Sequence, residues 1–198
     1  MNLKTHKIIG ILRNMPYENL KQIIATASSY NIKAFEISIM NEESYNQIRY
    51  LKSCFPDLII GAGTVTDNTI LDRAITAGAD FILSPSCDES ILSECLNKGI
   101  NLVPGVFTPS DVNLARRYGF KYLKLFPSDS LPLGYIKALK APFPDTDYMA
   151  VGGVNPTNIH DYLNNGFTAV GIGSSLFSTK LSTYAQEELN NHFSSILL

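Results

Sequence analysis

Two ionisable side chains stand inside apolar, strand-like runs where aliphatic residues are the rule. Lys124 lies in Phe120-Lys121-Tyr122-Leu123-Lys124-Leu125-Phe126-Pro127, and Glu36 lies in Ala34-Phe35-Glu36-Ile37-Ser38-Ile39. Side chains alternate across a strand, so Tyr122, Lys124 and Phe126 share one face while Leu123 and Leu125 share the other. If the leucines meet helices, Lys124 points into the interior. By the same parity Phe35, Ile37 and Ile39 face outward and leave Glu36 inside beside Ser38. Burial disfavours an ammonium and lowers a lysine pKa, and the neutral amine that results can attack a ketone to form an imine. That chemistry needs a proton shuttle, which a carboxylate in a low-dielectric pocket supplies. A structural salt bridge between the two is the plainer reading.

Other polar residues fall at the ends of similar runs. Arg13 closes Ile8-Ile9-Gly10-Ile11-Leu12 on the parity of Ile9 and Ile11, and its planar fork suits a carboxylate or phosphate. A surface arginine at a loop start would look the same. Gly61-Ala62-Gly63-Thr64 permits close backbone approach and ends in a hydroxyl, although glycines also mark tight packing. Gly152-Gly153 and Gly171-Ile172-Gly173-Ser174-Ser175 end the last two runs with exposed amides and hydroxyl donors. Such loops can hold a phosphate; ordinary turn glycines are the other reading.

These residues need a frame that collects strand ends at one mouth. Eight short apolar runs supply it: Ile8–Leu12, Ala34–Ile39, Leu58–Thr64, Phe81–Pro85, Asn101–Val106, Tyr122–Pro127, Tyr148–Gly153 and Ala169–Leu176. Nearly unbroken apolar runs fit parallel strands buried on both faces. Helical patterns lie between them; Leu20, Ile23, Ile24 and Ala27 form one apolar stripe. Gly78, Gly99, Gly119, Gly166 and Asn31 sit where a left-handed helix cap is expected. Thr108-Pro109-Ser110-Asp111 and Asn155-Pro156 read as helix starts, and Thr66-Asp67 as a weaker one. The expectation is an α/β fold, a short single-domain (β/α)8 TIM barrel over residues 1–198, with its chemistry at the C-terminal strand ends. A doubly wound open sheet is the alternative.

Composition narrows the partners. With 45% hydrophobic and 17% charged residues and a formal charge of −2, the chain has no electrostatic footprint for nucleic acid or an anionic membrane. No apolar run is long enough to span a bilayer, and the first ten residues lack the features of a secretory signal. Cys54, Cys87 and Cys95 lie in no metal spacing and read as free thiols of a reducing cytosol, with Cys87 incidental to the mouth. His6, His160 and His192 form no ligand pattern, so no metal is expected.

Taken together, Phe35-Glu36-Ile37, Gly61-Ala62-Gly63-Thr64-Val65, Ser84-Pro85, Val103-Pro104-Gly105, Leu123-Lys124-Leu125-Phe126-Pro127, Tyr135-Ile136-Lys137-Ala138-Leu139 and Val151-Gly152-Gly153-Val154 are specific in order and spacing. They resemble the 2-keto-3-deoxy-6-phosphogluconate (KDPG) aldolase family. That family also holds 4-hydroxy-2-oxoglutarate (KHG) aldolases and 2-keto-3-deoxy-6-phosphogalactonate aldolases. The resemblance implies a cytoplasmic, metal-free class I aldolase that forms a homotrimer and yields pyruvate and glyceraldehyde 3-phosphate. It makes Lys124 the Schiff-base lysine and Glu36 the general acid/base. Thr64, Pro85 and Phe126 then line the pyruvate pocket, and Gly152, Gly153, Gly173 and Ser175, with neighbouring Ser174, hold phosphate.

The chain departs from the gluconate pattern at two points. Met40 stands where gluconate-type members carry the arginine that holds the pyruvate carboxylate, and Val151 where they tend to carry threonine beside the C4 hydroxyl. Arg13 and Val151 both resemble the galactonate branch, so Arg13 is expected to replace the missing guanidinium. Asn14 and Met40 depart from that branch too, which often has glycine and asparagine there. Rival readings are a sugar-phosphate epimerase or isomerase, and a non-catalytic sugar-phosphate-binding barrel.

Overall fold

The computed structural model describes residues 3–196. Nine strands form one parallel sheet: β1 (Ile8–Leu12), β2 (Ala34–Ser38), β3 (Ile59–Gly63), β4 (Ile82–Leu83), β5 (Leu102–Val103), β6 (Gly105–Val106), β7 (Tyr122–Leu125), β8 (Asp147–Val151) and β9 (Ala169–Ile172). Their order is β5-β4-β3-β2-β1-β9-β8-β7-β6. The sheet's two ends, β5 and β6, are therefore joined through Pro104 alone. They are halves of one barrel strand, the first paired with β4 and the second with β7. Proline has no N–H for the ladder, so the strand breaks there. Its carbonyl still accepts from the Lys124 amide at 2.9 Å. The expected eight-stranded barrel is present, with its fifth strand divided.

Helices α1 (Leu20–Ser29), α2 (Glu42–Cys54), α3 (Asn68–Thr76), α4 (Glu89–Lys98), α5 (Pro109–Arg117), α6 (Tyr135–Lys140), α7 (Ile159–Asn164) and α8 (Gln186–Ser194) surround it. Two apolar layers result. Ile9, Ile11, Leu83, Val103, Tyr122 and Met149 pack inside the barrel. Phe35, Ile37, Leu123 and Leu125 face the helices, which return the Leu20, Ile23, Ile24 and Ala27 stripe of α1. Each such aliphatic, fully buried, contributes about 1.5–3 kcal/mol. The alternation read from β2 and β7 is the one observed.

Local chemistry sets the helix ends. Thr108 and Asp111 form a reciprocal capping box with Pro109 in the first turn, and the Asp67 side chain accepts from the Ile70 amide. Gly99 ends α4 in the left-handed region, and Asn31, Gly78, Gly119 and Gly166 also have positive φ. Regular helix does not start at Asn155-Pro156. Asn155 still caps the turn before α7: its side chain accepts from the Thr157 amide and hydroxyl and its amide donates to the Asn158 side chain, and regular helix follows at Ile159. The last run also ends early. After Ile172 the Leu176 and Phe177 amides both return to the Gly173 carbonyl, so Gly173 to Ser175 form a turn.

Gly61 shows how tightly the interior is filled, because a Cβ there would overlap the Phe81 ring. Gly61→Ala is expected to cost about 1–3 kcal/mol of stability. Gly134→Ala has open space and an ordinary φ, so its stability should be unchanged or slightly raised. Urea unfolding of both variants checks this; equal midpoints would contradict it.

Candidate active site

Lys124 and Glu36 lie inside the barrel, as their parity requires, and are 5% and 2% exposed. Lys124 is held between Gly105 of β6 and Met149 of β8. Its Nζ stands 4.6 Å from the centre of the Phe126 ring. Burial pushes the Lys124 ammonium below the ordinary lysine value; Glu36 opposes that shift and Arg13 adds to it. A buried lysine with a lowered pKa has a larger neutral fraction near pH 7.

Glu36 sits opposite Ile11 of β1 and Gly61 of β3. Its carboxyl occupies the space that a Cβ at Gly63 would need. The two glycines of Gly61-Ala62-Gly63 thus have separate causes, one making room for Phe81 and the other for Glu36. The Ser38 hydroxyl donates to Glu36 Oε1 at 2.7 Å. Among the ion pairs of the described residues there is none between Lys124 and Glu36. The two charges sense each other without touching, which overturns the salt-bridge reading.

A cavity of about 340 Å³ is walled in part by Phe126 and Ile11, neighbours of Lys124 and Glu36, while neither Lys124 nor Glu36 is itself in its wall. Its wall includes Arg13, Phe126 and Val151 from three different strand ends. Gly152, Gly153, Gly173, Ser174 and Ser175 line the same cavity. Arg13 makes no ion pair among the described residues. Gly152 and Gly153 have φ of 105° and 68°. Two details differ from expectation. The Ser175 hydroxyl donates to the Val154 carbonyl at 2.8 Å, so its proton is engaged within the protein. No helix starts at the second glycine cluster, because Gly173 to Ser175 form the turn described above.

Thr64 and Pro85 are outside the wall of this cavity, at the ends of the third and fourth barrel strands. Thr64 has φ 61°, a region that costs a β-branched residue about 1–3 kcal/mol. Pro85 packs its backbone carbonyl against Gly105, and the Ser84 hydroxyl accepts from the Gly105 amide at 3.3 Å. Cys87 donates to the Asp111 carbonyl, and burial pushes its thiol up to about 11. Among the described residues no group of three or more His, Cys, Asp or Glu could hold a metal ion.

Ile11, Val154, Asn155 and Gly171 complete the cavity wall; Gly171 belongs to the glycine cluster already singled out, and the sequence reading gave the other three no site role. Ile11 was legible, since it shares the parity of Arg13. Asn155 was read only as a helix cap. The bond from Ser38 to Glu36 joins residues two apart on one strand face, a spacing that the sequence displays without showing which rotamers meet.

A family model described as KDPG and KHG aldolase matches residues 1–191 of this chain. The 2-dehydro-3-deoxy-phosphogluconate aldolase of Pseudomonas aeruginosa is 38% identical over 67% of this chain and 60% of its own length. The "Probable 2-dehydro-3-deoxy-6-phosphogalactonate aldolase" of Rhizobium meliloti is 31% identical over 88% of this chain and 84% of its own. A solved structure described as native KDPGal superimposes with a TM-score of 0.86 at 26% identity, covering 96% of this chain and 91% of that one.

The electrostatics yield a signed expectation. Removing the Arg13 charge should raise the titration of the Lys124 amine, and removing the Glu36 charge should lower it. Labelling of Lys124 by a small amine-selective reagent, followed against pH, should therefore move to higher pH in Arg13→Gln and to lower pH in Glu36→Gln. Shifts of the same sign, or none, would show that neither charge reaches the amine.

Proposed function

The chain belongs to the KDPG and KHG aldolase family, and on that premise we propose that it is a class I aldolase. Its substrate is a 2-keto-3-deoxy-6-phospho-sugar acid of gluconate or galactonate type, or 4-hydroxy-2-oxoglutarate. The observation that carries this reading is an enclosed lysine amine, lowered in pKa, that faces a carboxyl group without being paired to it.

In this mechanism the Lys124 amine attacks the C2 ketone and gives a carbinolamine. Glu36 supplies the proton with which water leaves, producing a protonated imine. Loss of the C4 hydroxyl proton to the base then lets the C3–C4 electron pair flow into the imine. The C4 aldehyde departs and an enamine remains on the lysine. Protonation of that enamine at C3 and hydrolysis of the imine release pyruvate and free the amine. The phosphorylated substrates give glyceraldehyde 3-phosphate as the other product.

Arg13 is assigned to the substrate carboxylate, in place of the guanidinium that Met40 does not provide. Phe126, Thr64 and Pro85 wall the three-carbon unit, and Val151 lies against the C4 region. Gly152, Gly153, Gly173, Ser174 and Ser175 take the phosphate through backbone amides and the Ser174 hydroxyl. The imine serves as the electron sink, so no cofactor or metal is assigned. The protein is further read as a cytoplasmic homotrimer with neither nucleic acid nor membrane as partner. A sugar-phosphate epimerase or a non-catalytic barrel would use the same glycine loops but give the enclosed amine no task.

Incubation with pyruvate and borohydride should leave a reduced pyruvyl adduct on Lys124, read by mass spectrometry, and none in Lys124→Ala. An unmodified lysine would overturn the aldolase reading. Arg13→Ala should raise KM about 10- to 100-fold, from loss of a charge-assisted bidentate contact, with a smaller change in kcat. Unchanged kinetics would remove its carboxylate role. The 6-phosphogalactonate substrate should be cleaved at least as well as its gluconate epimer; a strong gluconate preference would show Val151 to be a poor guide.

A further inference from the structure

The carboxyl group of Glu36 is not symmetric in its surroundings. Oε1 accepts the Ser38 hydroxyl at 2.7 Å and lies against the Gly63 backbone, where no Cβ intervenes. Oε2 has no hydrogen-bond partner among the described residues. Oε2 is thus the unpaired oxygen of the carboxyl group, while Oε1 is fixed by the Ser38 hydroxyl. Ser38 itself is 1% exposed. Its hydroxyl donates to that carboxylate, and it lies outside the wall of the cavity.

The geometry points to Ser38 as a positioning residue for the acid/base, an assignment that rests on the aldolase reading above. A carboxyl group with both oxygens free rotates about its last torsion, which is broad and low in barrier. It then presents either oxygen at a variable distance. Here the hydroxyl holds Oε1 as acceptor, and the carboxyl lies in the space that a Cβ at Gly63 would fill. Oε2 becomes the one oxygen that carries protons to and from the carbinolamine and the enamine carbon. Proton transfer is sensitive to such placement, because the transferring atoms must reach hydrogen-bond distance. The amine, the carboxylate clamp at Arg13 and the phosphate loops do not involve Ser38. Its loss should therefore slow proton transfer without weakening substrate capture.

The experiment compares the parent enzyme with Ser38→Ala and Ser38→Thr in three measurements. These are steady-state cleavage, borohydride trapping with pyruvate, and exchange of the pyruvate methyl protons with D₂O by NMR. The exchange needs the enamine and the acid/base but no aldehyde. Ser38→Ala should lose about tenfold in kcat and in exchange rate, as expected for one hydrogen bond. KM should stay within about twofold, and trapping on Lys124 should still go to completion. Ser38→Thr, which keeps the hydroxyl, should recover most of both rates. Parent-like rates in Ser38→Ala, a change confined to KM, or Ser38→Thr no better than Ser38→Ala would each overturn the assignment and leave the aldolase reading intact. Failure of the parent enzyme to trap pyruvate would overturn both.

Discussion

A lysine amine is held out of water without a counter-ion in contact, and the rest of the site is organised around that fact. Were Glu36 in direct contact with Lys124, the Coulomb gain in a low-dielectric interior would hold the ammonium form and quench the nucleophile. With the carboxylate absent, nothing would be at hand to move protons. The barrel resolves this by placing the two groups on β7 and β2, strands separated in the ring by β8, β9 and β1 on one side. Each is then packed by its own neighbours. Phe126 stands over the amine and Ser38 with Gly63 holds the acid.

Close packing is what makes this separation stable. Protein interiors have few voids, so a group can be displaced only if something yields. Gly61 and Gly63 yield in advance, one to the Phe81 ring and one to the Glu36 carboxyl. The division of the fifth barrel strand acts similarly. Pro104 breaks the ladder, Gly105 lets the Pro85 carbonyl approach, and the Pro104 carbonyl holds the Lys124 amide in register. The positive φ of Thr64 is a third such feature, a strained backbone at the end of the glycine-bearing strand.

Much of this was legible in the residues alone. Strand parity placed Lys124, Glu36 and Arg13 on the interior face because alternation is a property of the backbone, whatever its tertiary partners. Thr108-Pro109 and the cap glycines were readable because caps are satisfied within a few residues of chain. What escaped the sequence depends on contacts between distant segments. The second glycine of Gly61-Ala62-Gly63 takes its meaning from a side chain on a neighbouring strand. Asn155-Pro156 carries a genuine cap signal, and what it left open is only that the turn it starts becomes regular helix at Ile159. The donor state of Ser175 is likewise fixed by Val154, from another loop. The contrast between a salt bridge and two unpaired charges is a matter of distance, which spacing along the chain does not encode.

Arg13 ties the electrostatics to turnover. In the free protein its charge lowers the titration of the amine while Glu36 pulls the other way. On the aldolase reading, a substrate carboxylate seated on Arg13 cancels that positive field just as the substrate ketone reaches the amine. The imine that follows is a cation, and its formation is then opposed by one positive charge fewer while Glu36 still favours it. The same arginine would thus favour the nucleophile before binding and stop penalising the iminium after it. A lysine in that position would be a poorer choice. It is a point charge that cannot span both carboxylate oxygens, and it could itself lose its proton to the low-dielectric surroundings. Guanidinium stays charged throughout, so the switch depends only on the arrival of the substrate.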